Sequence, residues 1–334
     1  MKIVLITPPG PSTRTGNRVA ALRWARILRE LGHRVNVAAD YAGEAADAMV
    51  AIHAWRSANA IRRFKASHPE RPVILQLSGT DIYQYITEDP SPTVRSLELA
   101  DTLVALNSLA WRMVAPRLRA KLRVIFQSAP KPAHPQQPSR RHVDISVIGH
   151  LRDVKDPLRA AAAARLLPAS SRIRIVHIGR AYSCEWAARA KAEMTANPRY
   201  VWRDDVPRAA VQNLLRRSHA MVLSSRSEGG ANVISEAIVA GVPILASRMD
   251  GNVGLLGADY PAYFPVGDTQ ALASLLRRIE TDRSFVQRLN RAIARRAPLF
   301  KPEREVAAWR KLLAELPRQS GSAPARRSSA ARDR

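Results

Sequence analysis

The chain is short of the residues that cross-linked or metal-clasped proteins need. It has one cysteine, Cys184, in 334 residues, which excludes an intrachain disulfide framework and a Cys/His zinc cluster. Such sparing use of thiols suits a reducing compartment. Aromatic residues are only 5% of the chain. Carboxylates are outnumbered, with 28 Asp+Glu against 53 Lys+Arg and a net charge of +25, and lysine is itself scarce at eight of those cations. No apolar run reaches the roughly 18 residues of a membrane-spanning helix. The opening MKIVLITPPG is too short in its apolar part for a signal-peptide core and has no small-residue cleavage site. It reads as a buried first strand, and the expected location is the cytoplasm.

Familiar catalytic motifs are missing as well. The first strand is followed by Gly10-Pro-Ser-Thr-Arg-Thr-Gly16-Asn17-Arg18, which is neither GxGxxG nor a Walker loop, since five residues separate the glycines and Asn-Arg follows. Its glycines still permit backbone N–H groups to converge on an anion at the start of a helix; a plain strand-to-helix connection is the other reading. HExxH, an EF-hand loop, a GxSxG elbow and a DxD triplet are all absent. Asp204-Asp205 reads as turn chemistry, and no metal site or cofactor is expected.

What is present is alternation. Apolar runs at Ile3–Thr7, Arg34–Ala38, Ala48–Ile52, Val73–Leu77, Thr102–Leu106 and Leu122–Phe126 are separated by helical patterns such as Asn17–Leu31, stopped by Gly32. The segment Ser128–Arg141 carries four prolines and no periodicity, so it reads as a linker. Beyond it the alternation restarts with Val143–Ile148, Ile173–Ile178, Tyr200–Trp202, Ala220–Ser224, Val242–Ala246 and Ala262–Pro265. The expectation is an α/β protein of two doubly wound Rossmann-like domains, 1–136 and 142–316, facing each other across a cleft. The second would end in a closing helix, and 317–334 would be a disordered basic tail with five Arg and one Asp. The arginines are scattered over polar helix faces, as in Arg216-Arg217 and Arg295-Arg296, which favours a solvated surface over a nucleic-acid interface.

The chemistry concentrates in Ser224-Ser-Arg-Ser-Glu228-Gly229-Gly230-Ala231-Asn232-Val-Ile-Ser-Glu236, followed by Gly241-Val-Pro243. Glu228 falls at the end of a strand, Gly229 and Gly230 make a tight turn, Asn232 suits a helix N-cap, and Glu236 lies a turn further on. Two carboxylates would thus flank a helix N-terminus whose N–H groups suit a diphosphate. Taken alone, acidic residues near a helix start are equally ordinary partners of the helix dipole.

This stretch resembles the E-x7-E signature of the GT-B glycosyltransferases, in the family 4 group. The resemblance implies a GT-B fold in which Glu228 contacts the transferred sugar and Glu236 the nucleotide ribose. That group also carries G-R-L-x-x-x-K at the start of its second domain, where this chain has Gly149-His150-Leu151-Arg152-Asp153-Val154-Lys155. Lys155 matches the family lysine, which would neutralise the diphosphate, while His150 replaces the family arginine and Arg152 is a candidate substitute. The alternative for Arg152 and Lys155 is simple pairing with Asp153 and Asp156.

Three longer blocks are similar to the selenosugar synthases of the selenoneine pathway. They are TPPGPSTRTGNRVAALRWARIL, GHLRDVKDPLRAA, and SSRSEGGANVISEAIVAGVPILASRMDGNVGLLGADYPAYFPVGDT. The implied activity is attack of selenophosphate on UDP-N-acetylglucosamine or UDP-glucose, giving a 1-selenosugar, with the acceptor received by the first domain. Gly16, Asn17 and Arg18, with Arg14 behind them, would hold the acceptor. His53 matches a family histidine beside the donor sugar; a satisfied structural histidine is its rival. Ser78–Asp81 and Asn107-Ser108 are cleft-side loops by position. A conventional family 4 enzyme acting on a saccharide or lipid is the alternative function.

Overall fold

The computed structural model describes residues 1–8 and 15–316. Arg14 and the basic tail 317–334 lie outside the described residues.

Two six-stranded sheets, parallel throughout, account for the alternation read from the sequence. The first runs β2-β1-β3-β4-β5-β6, with β1 at Lys2–Ile6, β2 at Arg34–Ala38, β3 at Ala48–Ile52, β4 at Val73–Gln76, β5 at Thr102–Ala105 and β6 at Leu122–Val124. The second runs β12-β11-β10-β7-β8-β9, with β7 at Val143–Ile148, β8 at Ile173–Ile178, β9 at Tyr200–Arg203, β10 at Ala220–Leu223, β11 at Ile244–Ser247 and β12 at Tyr263–Phe264. Strands β1, β3, β4 and β10 are buried on both faces, which is why they carry continuous apolar runs rather than alternating ones.

Strand order reverses between β1 and β3 in the first sheet and between β7 and β10 in the second. Loops leaving two strands that diverge in this way splay apart and open a crevice at the carboxyl edge. The loops that carry Lys155 and Glu228 leave β7 and β10, the two strands at that reversal.

The helix Pro302–Ala314, read from sequence as closing the second domain, packs on the first sheet instead. Trp309, Leu312 and Leu316 share a core with Ile3, Leu5, Trp24 and Leu28. Trp24 and Trp309 meet edge to face, ring centroids 4.7 Å apart. The chain therefore crosses between the lobes twice, and the two crossings touch where the Ala129 amide donates to the Phe300 carbonyl at 3.1 Å.

Candidate active site

The second lobe supplies a tightly braced loop pair. Residues Asp153–Lys155 form a single 3-10 turn after β7, and Asp156 follows in the left-handed region at φ 46°. Ser224, at the end of β10, donates from its hydroxyl to the carbonyls of Lys155 at 3.1 Å and Asp156 at 2.9 Å, and the Arg226 amide donates to the Val154 carbonyl at 2.8 Å. This clamp presents the Lys155 ammonium to the Glu228 carboxylate, and the two form an ion pair. Ser225 donates to the same Glu228 oxygen at 2.6 Å. Lys155 therefore does not pair with Asp153 or Asp156; Asp156 binds Arg159 at 2.7 Å.

The helix after Glu228 starts at Asn232, so its cap position is Ala231 rather than Asn232. Alanine has no acceptor, and no side chain caps this helix. Its N-terminal N–H dipoles remain directed at the crevice, the arrangement that favours an anion. The Asn232 side chain faces the first lobe instead: its Oδ1 accepts from Arg23 at 3.0 Å and its Nδ2 donates to the Gly16 carbonyl at 3.4 Å. Gly16 and Asn232, 216 residues apart, thus bring the starts of two helices together across the crevice. On the first-lobe side Thr15 caps the helix Gly16–Glu30 by accepting from the Arg18 amide, a cap the sequence reading missed. That amide is therefore already engaged, which leaves the Arg18 side chain for a ligand.

The lobes meet where bulk is forbidden. A Cβ on Gly229 would lie 2.4 Å from the Ser78 carbonyl carbon, and one on Gly230 2.3 Å from the Leu106 Cβ. Asn107 closes the seam by donating to the Gly229 carbonyl at 2.7 Å, and Ser108 donates to the Gly254 carbonyl at 3.0 Å. The loops after β4 and β5 hence sit directly on the Glu228 turn.

His53 ends β3 in the left-handed region, φ 76°, and is fully buried. Its Nδ1 accepts from the Arg56 amide at 3.3 Å, so Nε2 carries the proton and donates to Thr80 Oγ1 at 3.0 Å. Burial pushes its pKa down, opposed by the nearby Asp81, and Arg152 from the second lobe is close enough to push it down further. The ring is neutral, and both nitrogens are engaged. Asp81, in the loop read from sequence as cleft-side, accepts from the amides of Ala54, Ser78 and Gly79 at 2.7–3.0 Å and locks the ends of β3 and β4 together.

Arg152 lies with its guanidinium 5.6 Å from the Tyr182 ring centre, and its buried Nε has no hydrogen-bond partner. His150 accepts from the Arg180 amide at 3.1 Å and leans on the same tyrosine. Of the two substitutes for the family arginine, Arg152 is thus the one with an unspent donor. Glu236 opens into a cavity walled by Pro130, Pro132 and His134 of the linker and by Arg208, whose guanidinium is 3.9 Å away. Burial raises its pKa, and Arg208 and Arg23 pull it back down. Among the described residues no group of three His, Cys, Asp or Glu side chains is gathered for a metal, and no helix is long and apolar enough to cross a membrane.

Comparison with known proteins agrees with this geometry. Residues 134–296 match the family Glycosyl transferases group 1. The fold is that of the GT-B glycosyltransferases. Among solved structures, the chain is similar to HepE of Anabaena, in complex with UDP and glucose, at a TM-score of 0.75 and 15% identity over 95% of this chain and 100% of that one. Sucrose-phosphate synthase from Thermosynechococcus elongatus gives 0.75 at 14% identity over 94% and 98%. A glycosyltransferase from Rickettsia africae gives 0.73 at 12% over 96% and 99%. No curated protein sequence matches this chain.

Proposed function

We propose that this protein is a glycosyltransferase that takes its sugar from a uridine diphosphate donor held at the carboxyl edge of the second sheet. The observation that carries the reading is the Lys155–Glu228 pair beside an uncapped helix N-terminus. A departing diphosphate needs a cation and N–H donors at the oxygen where charge develops, and a carboxylate beside them can accept from sugar hydroxyls. Arg152, with its unpaired Nε, adds a second cation. No metal or cofactor is required by this arrangement. In the proposed division of labour, 142–316 holds the donor and 1–136 the acceptor. The comparison with HepE, solved with UDP and glucose, supports the choice of nucleotide.

The acceptor we propose is selenophosphate, with UDP-N-acetylglucosamine or UDP-glucose as donor. The support is the resemblance of three sequence blocks, together with the helix start at Gly16, Asn17 and Arg18 lying against Asn232. In the step, a selenium lone pair of selenophosphate forms the bond to the anomeric carbon while the carbon–oxygen bond to UDP breaks, its electrons leaving on UDP. Water then removes the phosphoryl group to give the 1-selenosugar. An ionised selenium nucleophile needs no general base, and the neutral, fully engaged His53 offers none. The enzyme's task reduces to positioning and leaving-group stabilisation. A saccharide or lipid acceptor is the second reading, favoured by the groove on the first lobe between Ile86, Leu97 and Met113 with Arg117 at its rim.

The test is incubation of pure protein with each UDP-sugar and selenophosphate, read by mass spectrometry. A selenium-containing hexose or hexosamine with released UDP is expected. Equal reaction with thiophosphate and ordinary sugar acceptors would overturn the acceptor assignment and leave the donor assignment standing.

A further inference from the structure

We propose that Arg23, on the acceptor-side helix, is a positioning residue for the donor site, holding Asn232, the first residue of the helix that carries Glu236, in place across the lobe boundary. The inference deepens the donor reading above and rests on it.

The geometry is specific. Arg23 is anchored from behind: its Nε donates to Glu305 at 3.2 Å and one terminal nitrogen to the Ser128 carbonyl at 3.3 Å. Glu305 is 1% exposed and also accepts from Trp24 Nε1 at 2.7 Å and from the Ser128 amide and hydroxyl at 2.8 and 2.5 Å. A buried carboxylate with three donors besides Arg23 is a rigid post, so the guanidinium is aimed rather than free. The remaining nitrogen reaches Asn232, the first residue of the uncapped helix, at 3.0 Å.

Its charge acts on Glu236, one turn further along. The charged groups facing Glu236 are Arg208 on the helix Arg208–Arg217 and Arg23, while His134 of the linker and Arg216 line the same cavity. Burial favours the protonated acid, and the two arginines oppose it. A carboxylate that accepts from ribose hydroxyls loses that role once protonated. Removing Arg23 takes away one of the two opposing charges. Glu236 then protonates at a higher pH, and the acid-side loss of nucleotide binding begins at a higher pH. Because Arg23 reaches the donor site from the hinge side of the first lobe, the same contact couples nucleotide binding to how the lobes sit.

The test is UDP binding by calorimetry from pH 5 to 8 with the full chain. Wild type must bind UDP; absence of heat there would overturn the donor reading itself. With Arg23→Met we expect about tenfold weaker binding at neutral pH, and an acid limb moved to higher pH. Arg23→Lys keeps a cation but loses the fork, so it should keep the limb while recovering only part of the affinity. In a double-mutant cycle, Arg23→Met should cost much less in an Asn232→Ala background. Unmoved acid limb and additive losses, in a protein that still binds UDP and melts as a folded protein, would overturn the positioning role. Should Arg23→Met fail to fold, Arg23→Lys and the cycle built on it decide the matter by the same criteria.

Discussion

Lys155 and Glu228 neutralise each other across the loop pair. A diphosphate would compete with the carboxylate for the ammonium, so the pair behaves as a spring-loaded contact rather than a stabilising one. Lys155→Ala should lower turnover at least tenfold, about 1.4 kcal/mol or more of transition-state stabilisation. Glu228→Gln should lower turnover by a similar factor yet bind UDP at least as tightly, since Lys155 is released. Steady-state kinetics and calorimetry on the same preparations separate the two effects.

His177 makes a second residue-scale prediction. It is buried beneath the loop after β7, with Nε2 on the Gly149 carbonyl and Nδ1 on the Tyr200 hydroxyl, both at 2.9 Å. Burial lowers its pKa to about 4 from an ordinary 6.5. Between those values the unfolded chain binds a proton that the folded one refuses, so stability is full above pH 6.5 and drains away as pH falls toward 4. His53 and His219 are shifted the same way. The melting temperature should decline over that window, and less so in His177→Asn than in wild type. An unchanged slope in the variant would remove His177 as a source.

At the scale of elements, two glycines serve different ends. Gly32 ends the first helix at φ 87° with open space around it, so Gly32→Ala should cost roughly 1 kcal/mol from backbone strain and leave turnover unchanged. Gly230 has ordinary backbone angles but sits against Leu106, and Gly230→Ala forces the lobes apart or the turn away. We expect roughly 1–3 kcal/mol of destabilisation together with a fall in turnover. Thermal melts and kinetics on both variants check the contrast. The asymmetry matters because the turn that carries Glu228 is also the seam between the lobes.

For the whole molecule, the return of the last helix to the first sheet makes stability depend on both ends of the chain. Trp309→Ala should cost roughly 3–5 kcal/mol, and the loss should appear as unfolding of the first lobe, although Trp309 lies 285 residues from its partner Trp24 in sequence. Hydrogen exchange that opens β1 and β3 alone would confirm it; exchange confined to β10 and β11 would contradict it. Charge acts at this scale too. With +25 on 334 residues the surface repels itself, and exposed pairs such as Arg117–Glu98 and Arg123–Glu315 contribute little against that.

Local pattern carried a large share of this protein. Strands β2, β3, β7 and β8 fall on the residues that periodicity marks, and the first helix misses by one residue at each end, because a strand buried on both faces and a helix packed on a sheet write their environment directly into the order of apolar residues. The Glu228 turn was legible for the same reason: glycine, carboxylate and helix start are neighbours in the chain. Three things were not. Asn232 looks like a cap but spends its side chain on Arg23 and Gly16; Glu236 opens toward the linker and Arg208; and the last helix belongs to the first sheet's core. Each depends on a partner more than 25 residues away, and no periodicity encodes which distant surfaces meet once the chain has crossed between lobes. Sequence determined the elements and the glycine turn that carries Glu228; only the packed structure decided which of the many arginines reaches the helix after that turn, because a buried carboxylate at Glu305 aims one of them.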